Sequence, residues 1–286
     1  SGAALEQMRF PLFLGAAGMG CALDAGNASG GICTEDGDGI RVKIGQANDT
    51  GNNNTFYRNR LERIGYNGFD VFGFGNTFER NVIIDACISK GDCGGVRTFG
   101  RDNLNSTAVR DLTFSENIIV DTLGNTDGCH SNFDALFGFG FYIDHYSRDI
   151  TLSDNTVISS TVHGILFQNS TGTATGNTLY NNSRTYPYAG AQVIVGSSPA
   201  YLSTHTDNIL FSVSEGARTL SVDSLSGLGT SNYNTFFSPY RDAHIRSSGD
   251  RTLASWQAYS GKDASSSEHW YTQGPGDTPI SHIFYN

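Results

Sequence analysis

The sequence predicts an all-β chain wound as a parallel β-helix, in its common right-handed form, with one short helix near the C-terminus. Three observations carry this. The first is a short unit repeated between Asn54 and Asn182: Asn54-Thr-Phe-Tyr-Arg-Asn59, Gly75-Asn-Thr-Phe-Glu-Arg-Asn81, Asp111-Leu-Thr-Phe-Ser-Glu-Asn117, Asp149-Ile-Thr-Leu-Ser-Asp-Asn155 and Thr173-Ala-Thr-Gly-Asn177. Each Asn closes a run of alternating apolar and polar residues, the period-two mark of a strand. The second is the spacing: Asn59 to Asn81 and Asn155 to Asn177 are both 22 residues. A fixed period of this size means stacked repeats. The third is a second marker inside the copies, a Gly opening another alternating strand: Gly68-Phe-Asp-Val-Phe, Gly95-Val-Arg-Thr-Phe, Gly140-Phe-Tyr-Ile-Asp and Gly164-Ile-Leu-Phe-Gln.

Each copy therefore holds at least two short strands. Its length is too small for a helical crossover between parallel strands, so the chain must coil and pair with the coil above. The repeated Asn are expected at the bends, where Asn tolerates left-handed backbone and can stack on its neighbours.

The chain has 286 residues, 35 Gly, 6 Pro and 16% charged residues, enough for one extended solenoid with a continuous core. A net charge of −10 argues against general nucleic-acid binding, which needs a basic stripe. No run of 18 apolar residues is present to span a membrane. Met8 to Gly20 lacks the basic start of a signal peptide. Of five Cys, the pairs Cys21/Cys33 and Cys87/Cys93 each close a short loop; Cys129 is left over. Local disulfides imply an oxidising, extracellular or cell-surface setting.

In chain order, the first 31 residues fit the repeat poorly, although Phe10-Pro-Leu-Phe-Leu14 has strand character. Glu35-Asp-Gly-Asp-Gly-Ile40 turns into Ile40-Arg-Val-Lys-Ile44, which has the Gly-plus-alternation form. Asp36 and Asp38 resemble a turn, because the full calcium-ligand spacing is missing. After the five marked coils the pattern weakens but continues through Ala191-Gln-Val-Ile-Val195, Asn208-Ile-Leu-Phe-Ser212 and Leu220-Ser-Val-Asp223 to Ser231-Asn-Tyr-Asn-Thr-Phe-Phe237. The helix is Leu253-Ala-Ser-Trp-Gln-Ala-Tyr-Ser-Gly261, stopped by its Gly. This reads as a single domain over 1–286, with regular coils over 35–237 and a capping segment over 238–286.

These repeats, Asn-Thr-apolar-x-x-Asn with Gly-apolar-x-apolar strands, resemble the right-handed parallel β-helix repeat proteins of the pectate-lyase-like superfamily. Ser231-Asn-Tyr-Asn and the helix up to Lys262-Asp263 resemble the end of the helix in many secreted members. The resemblance covers residues 35–286 and is specific for fold. It implies a carbohydrate-active secreted protein that binds and cleaves a polysaccharide, as a lyase or a glycoside hydrolase. The superfamily also holds non-catalytic surface, adhesin and filament proteins, which keeps that reading as the alternative. In similar proteins Ile283-Phe-Tyr-Asn286 leads into a further small β-domain, which implies a piece of a longer protein.

Two coils are long: Asn81 to Asn117 is 36 residues and Asn117 to Asn155 is 38. The surplus falls in 85–94, 100–108 and 123–139, loops expected to wall a groove. After each marker Gly the first and third residues should point inward: Ile40/Val42, Phe69/Val71, Val96/Thr98, Phe141/Ile143 and Ile165/Phe167. The second and fourth then form two outward columns. One is Arg41, Asp70, Arg97, Tyr142, Leu166; the other is Lys43, Phe72, Phe99, Asp144, Gln168. Stacked coils lie ~4.8 Å apart, so column neighbours touch. Phe72 and Phe99 suit stacking on sugar rings, and Arg41, Lys43 and Arg97 suit carboxylates. Tyr142-Ile-Asp-His-Tyr-Ser-Arg148 is the densest run of titratable groups and adjoins the insert carrying Asp127, His130 and Asp134.

Two mechanisms follow. In a lyase acting on an acidic polysaccharide, Arg97 neutralises a uronate carboxylate and Tyr142 or His145 removes the C5 proton; Ca²⁺ is the one cofactor that reading admits. In a hydrolase, two carboxylates among Asp70, Asp134 and Asp144 flank the bond, about 5–5.5 Å apart for retention or about 6.5–9.5 Å for inversion. The expected catalytic set is Arg97, Tyr142, Asp144 and His145. Arg41, Lys43, Asp70, Phe72, Phe99, His130 and Asp134 are expected to bind substrate. His163 precedes a marker Gly at a bend and reads as structural.

Overall fold

The computed structural model describes residues 5–6, 37–42, 51–100, 108–126, 136–184, 190–196 and 198–268. They form three long sheets of stacked parallel strands, a right-handed parallel β-helix. Each coil contributes one strand to each sheet. The coil opening with Thr55–Tyr57 continues through Arg60–Glu62 to Phe69–Val71, and the next runs Thr77–Glu79, Val82–Ala86, Cys93–Phe99. The strands right after each repeated Asn, such as Arg60–Glu62 and Thr156–Ile158, form a sheet that the two sequence markers do not reveal. They are short and begin at the corner itself, so alternation has no length in which to show.

Alternation sends one set of side chains inward from every sheet. Phe56, Phe78 and Phe114 pair in successive coils of the first sheet, and their rings stack at 4.7 and 4.8 Å. Leu61, Ile83, Ile119, Val157, Leu179, Leu210 and Phe236 line up from the second, all buried. The third supplies the expected inward pairs, Thr98 included, which is fully buried with its Oγ1 donating to Ser147 Oγ at 2.8 Å.

The repeated Asn form a buried ladder. Asn59 donates from both its backbone N–H and its side-chain Nδ2 to Asn81 Oδ1, and the same double bond links Asn81 to Asn117, Asn117 to Asn155, Asn155 to Asn177, Asn177 to Asn208 and Asn208 to Asn234. One expectation needs correction. The left-handed residue is the one before each Asn, as at Arg58, Arg80, Glu116, Asp154 and Gly176. The Asn itself is recruited because an amide can accept and donate at once in the buried corner.

The marker glycines mark close approach rather than special backbone angles. A Cβ on Gly68 would sit 2.4 Å from Gly95 O, and one on Gly140 would sit 2.4 Å from Gly164 O. Any side chain there would push successive coils apart.

The predicted helix spans Leu253–Ser260, with Thr252 capping its start and Gly261 at φ 68° ending it. Its Trp256 is fully buried and donates from Nε1 to Asp263 Oδ2 at 2.8 Å, while Asp263 Oδ1 accepts from Asn234 Nδ2 at 2.9 Å. Asp263 thus ends the Asn ladder. Strand pairing extends beyond residue 237, since Ser267–Glu268 pairs with Thr235–Phe236.

His205 lies fully buried beside this cap, with Nδ1 3.1 Å from Ser231 Oγ. Burial pushes its pKa down to about 4, against the pull of Asp263. In the unfolded chain it titrates near ~6.5, so the unfolded state binds the extra proton. The stabilisation is complete above ~pH 6.5 and is lost as pH falls through about 4. The expected loss is on the order of 3 kcal/mol. Melts between pH ~7 and ~4 should show a shallower decline for His205→Asn than for the parent, and equal declines would refute this role.

Candidate functional site

The third sheet holds the candidate site on its outer face. Its register places Arg41 beside Asp70, Asp70 beside Arg97, Arg97 beside Tyr142, and Tyr142 beside Leu166. Phe99 pairs with Asp144 in the neighbouring column. Charges of opposite sign alternate across four coils. Asp38 Oδ2 lies 3.8 Å from an Arg41 Nη, and Arg41 Nε lies 3.3 Å from Asp70 Oδ2. Arg97 reaches Asp70 with one terminal nitrogen and Asp144 with the other, each at 3.6 Å. Asp144 Oδ1 then bonds His145 Nδ1 and accepts the His145 backbone N–H at 2.8 Å.

This is not the solvated face that outward alternation alone implies. Asp70 is 1% exposed, Tyr142 5% and Asp144 4%, whereas the His145 side chain is 33% exposed. The chain of ion pairs therefore runs under cover and surfaces at His145. Thr98 and Ser147 brace that end: Ser147 Oγ accepts from Thr98 and donates to Asp144 O at 2.8 Å.

Burial and charge set the protonation states. Burial opposes the charge on Arg97, but Tyr66, Asp70 and Asp144 outweigh it and hold the guanidinium charged. Burial, then the Asp144 and Asp92 charges, raises the Tyr142 phenol far above its ordinary range, so it stays protonated. A phenol held protonated in this way does not serve as the base. Asp38 is pushed up to about 7, first by burial and then by Asp70. Asp92 is also raised by burial, although its hydrogen bond with Tyr142 works the other way.

Several residues reach the site that the sequence reading does not single out for it. Asp92 bonds Tyr142. Tyr66 donates from its hydroxyl to Asp92 O at 3.2 Å, and Lys90, fully covered, places its ammonium 5.0 Å from the Tyr66 ring centre. Asp38 enters from the turn before Ile40 and accepts from Asn67. The available signal for Asp92 and Lys90 is their place in the first of the three inserts, between two cysteines. That pair is bonded, Cys87–Cys93, as expected. Cys21, Cys33 and Cys129 lie outside the described residues, as do Lys43, Asp127, His130 and Asp134.

The aromatic expectations divide. Phe99 is half-buried, 5.0 Å from the Arg97 guanidinium, with its ring edge-on to His145 at 6.2 Å. Phe72 is no open stacking platform: it packs into the core, with the Arg41 guanidinium 5.4 Å from its ring centre. Leu166 points outward as its register requires but is covered, packing with Phe139, Tyr142 and Val162 into a second apolar cluster at the edge of the site. His163 is a packing residue: its ring lies tilted against Phe139, centroids 5.4 Å apart, and burial pushes its pKa down to about 3.

Among the described residues, no group of three or more His, Cys, Asp or Glu is arranged to hold a metal ion. No helix among them is long and apolar enough to cross a membrane. No protein-family model, curated protein or solved structure matches this chain.

Proposed function

We propose that this is a secreted, carbohydrate-active β-helix of the pectate-lyase-like kind that cleaves an acidic polysaccharide by β-elimination. The observation that carries this reading is Arg97, a half-buried guanidinium held charged beside an Asp144–His145 pair that reaches solvent. A uronate carboxylate set against Arg97 loses much of its charge, which acidifies the adjacent C5 proton. His145, with Nδ1 engaged by Asp144, presents Nε2 as the acceptor for that proton. The electron pair left on C5 forms the C4–C5 double bond, and the C4–O bond breaks. The leaving oxygen takes its proton from the Tyr142 phenol, which burial and the Asp144 and Asp92 charges keep protonated. The Cys87–Cys93 disulfide supports an extracellular location.

The test is a panel of acidic and neutral polysaccharides, followed for reducing ends and for the ultraviolet absorbance of an unsaturated product together. Both signals are expected on a uronate polymer. Reducing ends alone would replace elimination by hydrolysis, with Asp70 and Asp144 as the carboxylates. Neither signal on any polymer would favour a non-catalytic surface protein.

A further inference from the structure

The loop 87–93 is held unequally along its length. Its first half is clamped between coils by backbone bonds: Cys87 N–H to Tyr66 O at 2.8 Å, Ile88 N–H to Ile64 O at 3.0 Å and Ser89 N–H to Gly65 O at 2.9 Å on one side, with Asn125 N–H to Cys87 O at 2.7 Å on the other. Its second half carries Lys90 and Asp92 and is held differently. The Tyr66 hydroxyl donates to Asp92 O, and the disulfide ties Cys93 back to Cys87. Cys87 and Asp92 both adopt left-handed backbone, at φ 65° and 54°. Asp tolerates that conformation, whereas Cys resists it, and the covalent closure starts at Cys87.

We propose that the Cys87–Cys93 bond positions the proton-donating side of the site, keeping Asp92 against Tyr142 and Lys90 against Tyr66. The site is then complete only in the oxidised protein. The catalytic consequence rests on the elimination reading above, but the contacts are testable without any substrate. Both cysteines are fully buried, so the bond acts as a permanent brace rather than as a reversible switch.

Tyr66 and Tyr142 report on the loop. Tyr142 faces Asp92, Asp144 and Arg97; Tyr66 faces Arg97, Asp92, Asp38, Asp70 and Lys90. Both phenols are held above the ordinary range, first by burial, and should stay silent while exposed tyrosines ionise near pH ~10. The experiment counts phenolates by absorbance during alkaline titration. It compares the parent, a Cys87→Ser/Cys93→Ser double variant and the same variant with Tyr142→Phe. The double variant is expected to ionise two more phenols near pH ~10 than the parent. Adding Tyr142→Phe should remove one of them. An unchanged count in the double variant overturns the proposal, because the loop then holds without its bond. A double variant that fails to fold overturns it too, by showing that the bond holds the coil rather than the site. A count that Tyr142→Phe leaves unchanged overturns it as well, because the released phenols are then not those against the loop. Failure of the polysaccharide panel would leave all these counts untouched, so the two ideas fail separately.

Discussion

Asn155→Ala is expected to lower the melting temperature by ~10 °C. Asn155 is 1% exposed, and its side chain makes four hydrogen bonds. Oδ1 accepts from the backbone N–H and the Nδ2 of Asn117, both at 3.0 Å. Nδ2 donates to Phe114 O at 2.9 Å and to Asn177 Oδ1 at 3.0 Å. Alanine removes all four and leaves partners on both neighbouring coils short of a bond in a buried corner. Each buried group left unpaired costs ~1–3 kcal/mol, so the total is on the order of 4 kcal/mol. Asn54→Ala is the control. Asn54 is only half-buried and, among the described residues, its side chain makes a single donated bond, to Asn76 Oδ1; its loss should cost ~1 kcal/mol. Equal melts for the two variants would show that the ladder decorates the corner rather than holding it.

The second large effect concerns turnover. On a polymer cleaved in the panel, His145→Ala should lower kcat by ~10²–10⁴-fold, the range for a lost general base. The fold should survive, because the His145 ring reaches solvent at the end of its strand. Asp144→Asn should also slow the reaction, since an amide beside Nδ1 no longer orients the ring or stabilises its protonated form. Arg110→Ala is a useful control: Arg110 lies on the first sheet's side, against Phe74, with its guanidinium 4.1 Å from that ring. It should leave kcat unchanged. Full activity in both His145→Ala and Asp144→Asn would move the chemistry elsewhere on the solenoid.

How far such a site can be read from sequence depends on which part of a coil a residue occupies. Arg41, Asp70, Arg97 and Tyr142 are legible as one column because inward-facing neighbours on both sides, all apolar except Thr98, fix which way each points. A slip by one residue would bury Arg97 and expose Val96, so the register has one solution. The ladder is legible for the same reason, as a polar residue recurring where a strand pattern ends. Asp38, Tyr66, Lys90 and Asp92 approach from turns, where alternation says nothing about direction. Their arrival follows from how each coil closes and, for the last two, from the disulfide. Burial of the column was equally hidden. Sequence gives outward direction, but the cover over Tyr142 comes in part from the following coils, whose Val162, Leu166 and Ile194 join it in one cluster.

The ladder also bears on how the chain is made. Each rung presents to the next coil two donors, its backbone N–H and its side-chain Nδ2, which the amide oxygen of the incoming Asn accepts together, so a finished coil is a template for its successor. Pairing in this architecture reaches only to adjacent coils, and assembly can propagate from one end without waiting for the other. Ribosomes deliver ~5–20 residues per second, so a coil of 22 residues emerges every ~1–4 s. Folding can therefore follow emergence in step, with one open edge exposed at any moment. The longest pauses should come while the two long coils are delivered, when that edge waits for the residues that close the site.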